Sequence, residues 1–392
     1  MQGGRGDEGL LDKVARVGRA IPGALYALGR SVKSLLTMEA FSDMLQEHKL
    51  PHTVWLLGVR YTLAHQPGSA AGNEEARPVI DESQKFKMDM WSRMWFSYRY
   101  NFHPIAGTEL TTDTGWGCMI RSGQMMIAQA LVHHHLGRDW RLLHTSKYNE
   151  LPSDYRKVLE MFLDHPCAPL SIHSFVRAGQ QVGKKAGTWF GPNTVCSAFS
   201  KLHAGGALGS DSSLQLLAYD GNDGDNTIYT SEARELLQAG PLFILLPTRL
   251  GVSAVDASYI PKVAHVFSFP QSLGFIGGKP SSAHYFIASQ GEAVYYLDPH
   301  TPQPIINISD KDHRSFHSSA AHRMLLQHVD PSLTFGFYVK DEADLSDLCD
   351  RLTTMNQALG GYPAISVAEK KSVPAADLNF DETEDDDGVI LI

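Results

Sequence analysis

Residues 113–137 read DTGWGCMIRSGQMMIAQALVHHHLG, and the reading of this stretch decides what is built around it. From Met119 to Leu136 the spacing predicts a helix, with Met119, Gly123, Met126 and Ala130 on one face and Gly137 as its C-terminal stop. Ahead of it, Gly115 and Gly117 let the backbone turn tightly and approach another group closely. The turn delivers Cys118 to the helix start, where free N–H groups and the helix dipole favour an anion. A thiol placed there has a lowered pKa, and its thiolate is the reactive form. The Cys118 N–H is also placed to contribute to an oxyanion hole. The plainer reading of a cysteine in such a turn is a small buried apolar residue. On this stretch alone both readings stand.

A cysteine nucleophile needs a base and a group that orients the base. With 18 histidines in the chain, proximity in sequence selects nothing. Two strand-like runs, His284 to Ala288 and Ala293 to Leu297, are joined by Ser289-Gln290-Gly291-Glu292 as a hairpin. At its exit stands Asp298-Pro299-His300. Residues two apart in an extended segment point the same way, so Asp298 can accept a proton from the far nitrogen of His300. Pro299 stiffens the link. An ordinary strand-ending Asp-Pro turn accounts for the same residues, and His284 is a rival base. His133-His134-His135 suggests a metal at first sight, but adjacent helical residues diverge, and these fit the helix dipole and the surface better.

Short strands are expected at Leu242 to Leu246 and Phe335 to Val339. A helix first and strands later predict an α+β protein rather than alternating βαβ units. Hydrophobic residues make up 43% of the 392 residues and charged ones 20%, as in ordinary globular proteins. The net charge is -9 and the body carries no long basic stripe, which argues against a nucleic-acid partner. The four cysteines, Cys118, Cys167, Cys196 and Cys349, include no CxxC pair and are too few for a disulfide scaffold. No metal site is expected. The apolar runs are too short to span a bilayer and no signal-peptide core is visible, so the expected location is cytoplasmic.

Three divisions follow. Residues 1–50 form a basic extension with Leu11, Val14, Val17 and Ile21, then Leu25, Leu28, Val32 and Leu35, at helical spacing. It either docks on the body or lies on an anionic membrane. Residues 51–365 form the dense body, which includes a polar surface loop at Gln66 to Arg77. Residues 366–392, with their acidic run Glu384 to Asp387, are expected to be a solvated, disordered tail.

Three blocks resemble one family. They are Phe102 to Trp140, with TTDTGWGCMIRSGQMMIAQAL and LGRDW; Trp189 to Thr194, WFGPNT; and Pro270 to Pro302, PQSLGFIGGKPSSAHYFIASQGEAVYYLDPHTP. All three resemble the autophagins, the autophagy-related cysteine endopeptidases, and occur in that family's order. The resemblance implies a papain-like core with a small additional subdomain and no metal or organic cofactor. It implies cleavage of GABARAP- and light-chain-type ubiquitin-like modifiers after a C-terminal glycine, both as precursors and when linked to phosphatidylethanolamine on membranes. It places the nucleophile on Cys118, the base on His300, the orienting aspartate on Asp298 and an oxyanion tyrosine on Tyr98. It puts the tryptophan covering the substrate's glycine on Trp189. A flexible gating loop falls on Gln271 to Pro280, where Gly277 and Gly278 suit a lid that moves.

Two departures accompany the likeness. Ser122 stands where some members carry a second cysteine, and Gly388-Val389-Ile390-Leu391 lacks the aromatic of a C-terminal modifier-binding motif. Two rival functions remain: a non-catalytic or autoinhibited modifier-binding protein, and a thiol peptidase acting on another ubiquitin-like protein.

Overall fold

A computed structural model describes residues 50–63, 81–143, 147–209, 212–221, 226–307, 309 and 313–371. The N-terminal extension, the polar loop at 66–77 and the acidic run of the tail lie outside the described residues.

The fold is a mixed α/β arrangement of papain-like type. Its main sheet has nine strands in the order β11-β9-β8-β7-β12-β6-β4, with β1 added beside β8 and β2 beside β1. The strands are β1 (Thr53–Leu56), β2 (Val59–Thr62), β4 (Gln215–Ala218), β6 (Leu242–Arg249), β7 (Ser272–Lys279), β8 (Ser282–Gln290), β9 (Ala293–Leu297), β11 (His322–Leu325) and β12 (Ser332–Val339). β6 lies between β12 and β4, so Leu242 to Pro247 is buried on both faces, which is why the sequence shows an unbroken apolar run. The β8–β9 hairpin turns on two residues, Gly291 and Glu292, tighter than the four-residue link expected from sequence. Gly291 takes a φ of 61°, the left-handed conformation that such turns require. Two short parallel pairs complete the strands among the described residues: β3 (Arg99–Tyr100) with β10 (Gln303–Pro304), and β5 (Thr227–Tyr229) with β13 (Ser366–Ala368). β13 corrects the expected tail boundary. Residues 366–368 are held by a partner strand far away in sequence, which local composition does not reveal.

Among the described residues eight α-helices surround the sheet. They are α1 (Glu82–Trp91), α2 (Cys118–Leu136), α3 (Ser153–Met161), α4 (Ile172–Gln181), α5 (Pro192–Ala204), α6 (Thr230–Leu237), α7 (Ile260–Val266) and α8 (Glu342–Leu359). α2 is the central one. Every residue from Cys118 through His133 is buried, so the helix is enclosed rather than amphipathic. It lies against β7 and β8 on one side and α5 on another. At Gly123 an added Cβ would come within 2.3 Å of Val195 on α5, so only glycine allows this approach.

Asp89 anchors the far end of α2. It accepts from Tyr61 Oη at 2.8 Å and pairs with Arg93 at 2.9 Å, Arg138 at 2.7 Å and Arg141 at 3.1 Å. His133 departs from the surface role expected for the histidine run. It is buried, and burial pushes its pKa well down, so it is not a cation serving the dipole. No described helix is long and apolar enough to cross a membrane.

Candidate active site

The turn ahead of Cys118 is built by Thr112 to Gly117. The main-chain carbonyl of Asp113 accepts from Trp116 N at 3.2 Å and Gly117 N at 2.9 Å. Gly115 has a φ of 90°, a conformation costly for any other residue. Gly117 is needed for a different reason: an added Cβ would lie 2.3 Å from Asp113 Oδ2. Gly117 then caps α2 without any side-chain hydrogen bond, and Cys118 is the first helical residue. The N–H groups of that first turn therefore have no intrahelical acceptor and face the thiol's surroundings.

β9 ends at Leu297, and Asp298, Pro299 and His300 form a turn rather than a continued strand. Asp298 Oδ1 accepts from His300 N at 2.9 Å and from His300 Nδ1 at 2.5 Å. Sequence spacing anticipated this contact for a different geometric reason. The carboxylate reaches the ring because it caps the turn, not because both side chains stand on one face of an extended segment. Trp95 Nε1 donates to Asp298 O at 2.7 Å and fixes the turn from outside. With Nδ1 engaged, His300 Nε2 is buried and without a nitrogen or oxygen partner, which leaves it for the Cys118 thiol.

Tyr98 completes the cluster. Its ring is fully buried, stands edge-on to the His300 ring at 5.4 Å between centroids, and its hydroxyl reaches the thiol. Burial pushes the Cys118 thiol up; His300, Tyr98 and the Ala283 main chain more than reverse this, and the net direction is down. Burial pushes His300 down; Asp298 and Cys118 outweigh that, and its pKa rises. A thiol moved down beside an imidazole moved up favours the thiolate–imidazolium pair. The other buried thiol behaves oppositely: burial pushes Cys196 up to about 12. All four cysteines are free of disulfides.

His284 lies on β8 beside this cluster, its ring 5.3 Å from that of His300 and 4.4 Å from that of Tyr296. Its electrostatic influence falls on Asp298, whereas the groups acting on the thiol are His300, Tyr98 and Ala283. His284, Asp298 and His300 offer three candidate metal-ligand atoms within 4.8 Å of one another. The 2.5 Å between His300 Nδ1 and Asp298 Oδ1 is a hydrogen bond, shorter than the roughly 3.3 Å that separates two ligands of one tetrahedral ion. That geometry suits proton transfer better than coordination.

The segment expected as a gating loop is different in the structure. Residues 272–279 are strand β7, buried except at Lys279 and hydrogen-bonded to β8 and β12. An added Cβ would meet Leu333 Cδ2 at 2.5 Å from Gly277 and Ser282 O at 2.1 Å from Gly278. These glycines serve close strand packing rather than a hinge. Gln271 donates to Asp344 Oδ1 at 2.5 Å and Asp347 Oδ2 at 2.8 Å, holding the start of α8. Only the exposed tip, with Pro280 and Ser281 between the paired Lys279 and Ser282, lies outside the ladder. Trp189 is half-buried, with its ring over Gly191 at the cap of α5 and its Nε1 buried without a hydrogen-bond partner. Ser122 donates to Cys118 O at 3.0 Å inside α2.

Three contributors carry no readable signal in the sequence: Asp113, the main chain of Ala283, and Trp95. Asp113 stood in the quoted motif, but nothing local says that its carboxylate lies beneath Gly117. A main-chain contact such as Ala283 leaves no signal in residue type.

Known proteins place this geometry in a lineage. The peptidase C54 catalytic domain matches residues 83–351. Cysteine protease ATG4B of Gallus gallus is 36% identical over 358 residues, covering 81% of this chain and 84% of that protein. Cysteine protease ATG4 of Medicago truncatula is 35% identical over 345 residues, covering 82% and 69% respectively. Cysteine protease ATG4A of Mus musculus is 35% identical over 345 residues, covering 79% and 80%. With the domain matched over more than half of the chain and relatives at 35% and 36% identity covering about four-fifths of it, the chain belongs to the peptidase C54 family, the autophagins, and is a cysteine-type peptidase of autophagy.

Proposed function

We propose that this peptidase cleaves GABARAP- and light-chain-type ubiquitin-like modifiers after their C-terminal glycine, maturing precursors and releasing the modifier from phosphatidylethanolamine. One observation carries the catalytic part of this reading: the Cys118 thiol sits at a helix start against His300, whose Nδ1 is held by Asp298 at 2.5 Å.

In this reading His300 holds Cys118 as the thiolate of an ion pair. The sulfur attacks the glycyl carbonyl, and the new C–S bond forms as the carbonyl π electrons move to oxygen. The Cys118 N–H and the Tyr98 hydroxyl stabilise that oxyanion. Collapse breaks the C–N bond, and the His300 imidazolium gives its proton to the leaving amine. Water, deprotonated by His300, then hydrolyses the thioester and frees the thiol. When the amine is ethanolamine of a lipid headgroup, the same bonds form and break.

Cys118 is 0% exposed and Ala283 lies against its sulfur, so productive binding requires the end of the β7–β8 hairpin to shift. The tip around Pro280, rather than the whole of 271–280, is the segment free to do so. Trp189, with a spare indole N–H, is the candidate wall beside the substrate's glycine. The test is incubation with precursors of several modifiers, with products read by mass. New C-termini ending on glycine support the proposal, and modifiers left intact while another ubiquitin-like precursor is cut would replace it.

A further inference from the structure

Outside the residues that would touch substrate, one buried group binds both sides of the site. Asp113 is 0% exposed and lies beneath the nucleophile's turn. Its Oδ1 accepts from Arg99 N at 2.7 Å, directly after Tyr98, and its N–H donates to Arg99 O at 3.2 Å. Its Oδ2 accepts from Arg121 Nε at 2.7 Å, one turn into α2 from Cys118. Arg121 Nη1 continues to Asp164 Oδ1 at 2.8 Å and Gln124 Oε1 at 3.2 Å. Burial pushes the Asp113 carboxyl up, and the Arg121 guanidinium offsets this only in part, so the net direction is up. The fit leaves no slack, since a Cβ on Gly117 would come 2.3 Å from Oδ2.

The opposite edge of the Tyr98 segment is held by the base's loop. Tyr98 N donates to Pro299 O at 2.8 Å, and Gln303 N donates to Tyr98 O at 2.9 Å. The backbone of Tyr98 and Arg99 is thus clamped between the Asp298–His300 turn and Asp113. One carboxylate takes one bond from the segment that carries the tyrosine and another from the helix that carries the cysteine.

We propose that Asp113 is a positioning residue that sets the Tyr98 hydroxyl against the Cys118 thiol, the two groups between which the oxyanion develops. This rests on the roles given to Cys118 and Tyr98 above. Asparagine at this position keeps an oxygen for Arg99 N but turns a donor toward Arg121 Nε, so the clamp opens on the helix side. Register between sulfur and hydroxyl is then lost while the His300–Asp298 pair, which Asp113 does not touch, stays in place. Acylation by a modifier requires the oxyanion; alkylation of the same sulfur by iodoacetamide does not. The two reactions separate positioning from a general loosening of α2.

The experiment measures kcat, KM and the iodoacetamide rate at Cys118 for the full chain and for Asp113→Asn, Tyr98→Phe and the double variant. Asp113→Asn should lower kcat on the order of 10- to 100-fold. KM and the alkylation rate should stay within about threefold of the parent. In the Tyr98→Phe background the same change should cost less than about threefold, because the hydroxyl it positions is gone. Multiplying effects in the double variant, or alkylation falling in step with kcat, would overturn the proposal. Should Asp113→Asn not fold, as judged by circular dichroism, Arg121→Lys carries the same comparison with the same expected split. Cleavage retained by Cys118→Ala in parallel would instead remove the assignment beneath it.

Discussion

Replacing Asp298 by asparagine isolates the electrostatic part of the proposed Cys118–His300 pair. Asparagine keeps an oxygen where Oδ1 now accepts from His300 N at 2.9 Å and Nδ1 at 2.5 Å. The geometry can persist; the charge cannot. A hydrogen bond to a charged group contributes about 1–2 kcal/mol more than a neutral one, and here that difference favours the imidazolium. At 1.36 kcal/mol per tenfold, the thiolate–imidazolium population should fall roughly 5- to 30-fold. An amide rotated to turn its nitrogen toward Nδ1 would impose the wrong tautomer and deepen the loss toward the order of 10⁴ known for Asp→Asn in a Ser-His-Asp triad.

The pH profile carries the sign. Activity needs the thiol deprotonated and the imidazole protonated, so it rises through the lowered Cys118 pKa and falls through the raised His300 pKa. Without the Asp298 charge His300 moves down, so the alkaline limb falls at lower pH and the bell narrows from that side; its limbs belong to the coupled pair. The assay is kcat/KM on a modifier precursor from acid to alkaline pH, with His284→Gln alongside. Full activity and an unchanged profile in Asp298→Asn, or a larger loss in His284→Gln, would refute the reasoning.

Iodoacetamide at neutral pH should modify Cys118 ahead of Cys196 and Cys349, because burial pushes those thiols up to about 12 and about 11; peptide mapping of which site labels first decides it. Gly278→Ala should destabilise the protein by about 2–4 kcal/mol, measured by denaturant titration. The strain comes from a φ of 136° and a Cβ that would lie 2.1 Å from Ser282 O, whereas a true hinge glycine would give little change in stability. Trp189→Ala should lower kcat/KM on the glycine substrate and relax discrimination against alanine at the cleavage position. An unchanged ratio with full activity would make Trp189 a packing residue only.

The Cys118 turn and its helix were legible because their signals are local. Two glycines, a cysteine and a helical period ending in Gly137 lie within one stretch, and the observed α2 differs from expectation by one residue at its start. The Asp298–His300 contact was legible too, though through the wrong geometry, since spacing cannot separate a turn from an extended segment. Gly277 and Gly278 were misread because glycine answers two needs, mobility and close approach, and only Leu333 and Ser282 reveal which applies. β13 escaped notice because its partner β5 lies far away in sequence. Asp113 was visible only as a letter in a motif, since its meaning depends on Arg99 and Arg121 meeting above it.

The most direct test of the central claim is intact-mass analysis of a modifier precursor after incubation with the parent protein and with Cys118→Ala. The account predicts a single cut by the parent, leaving a C-terminal glycine, and an uncut precursor with Cys118→Ala. A cut elsewhere, or the same product from Cys118→Ala, would contradict it.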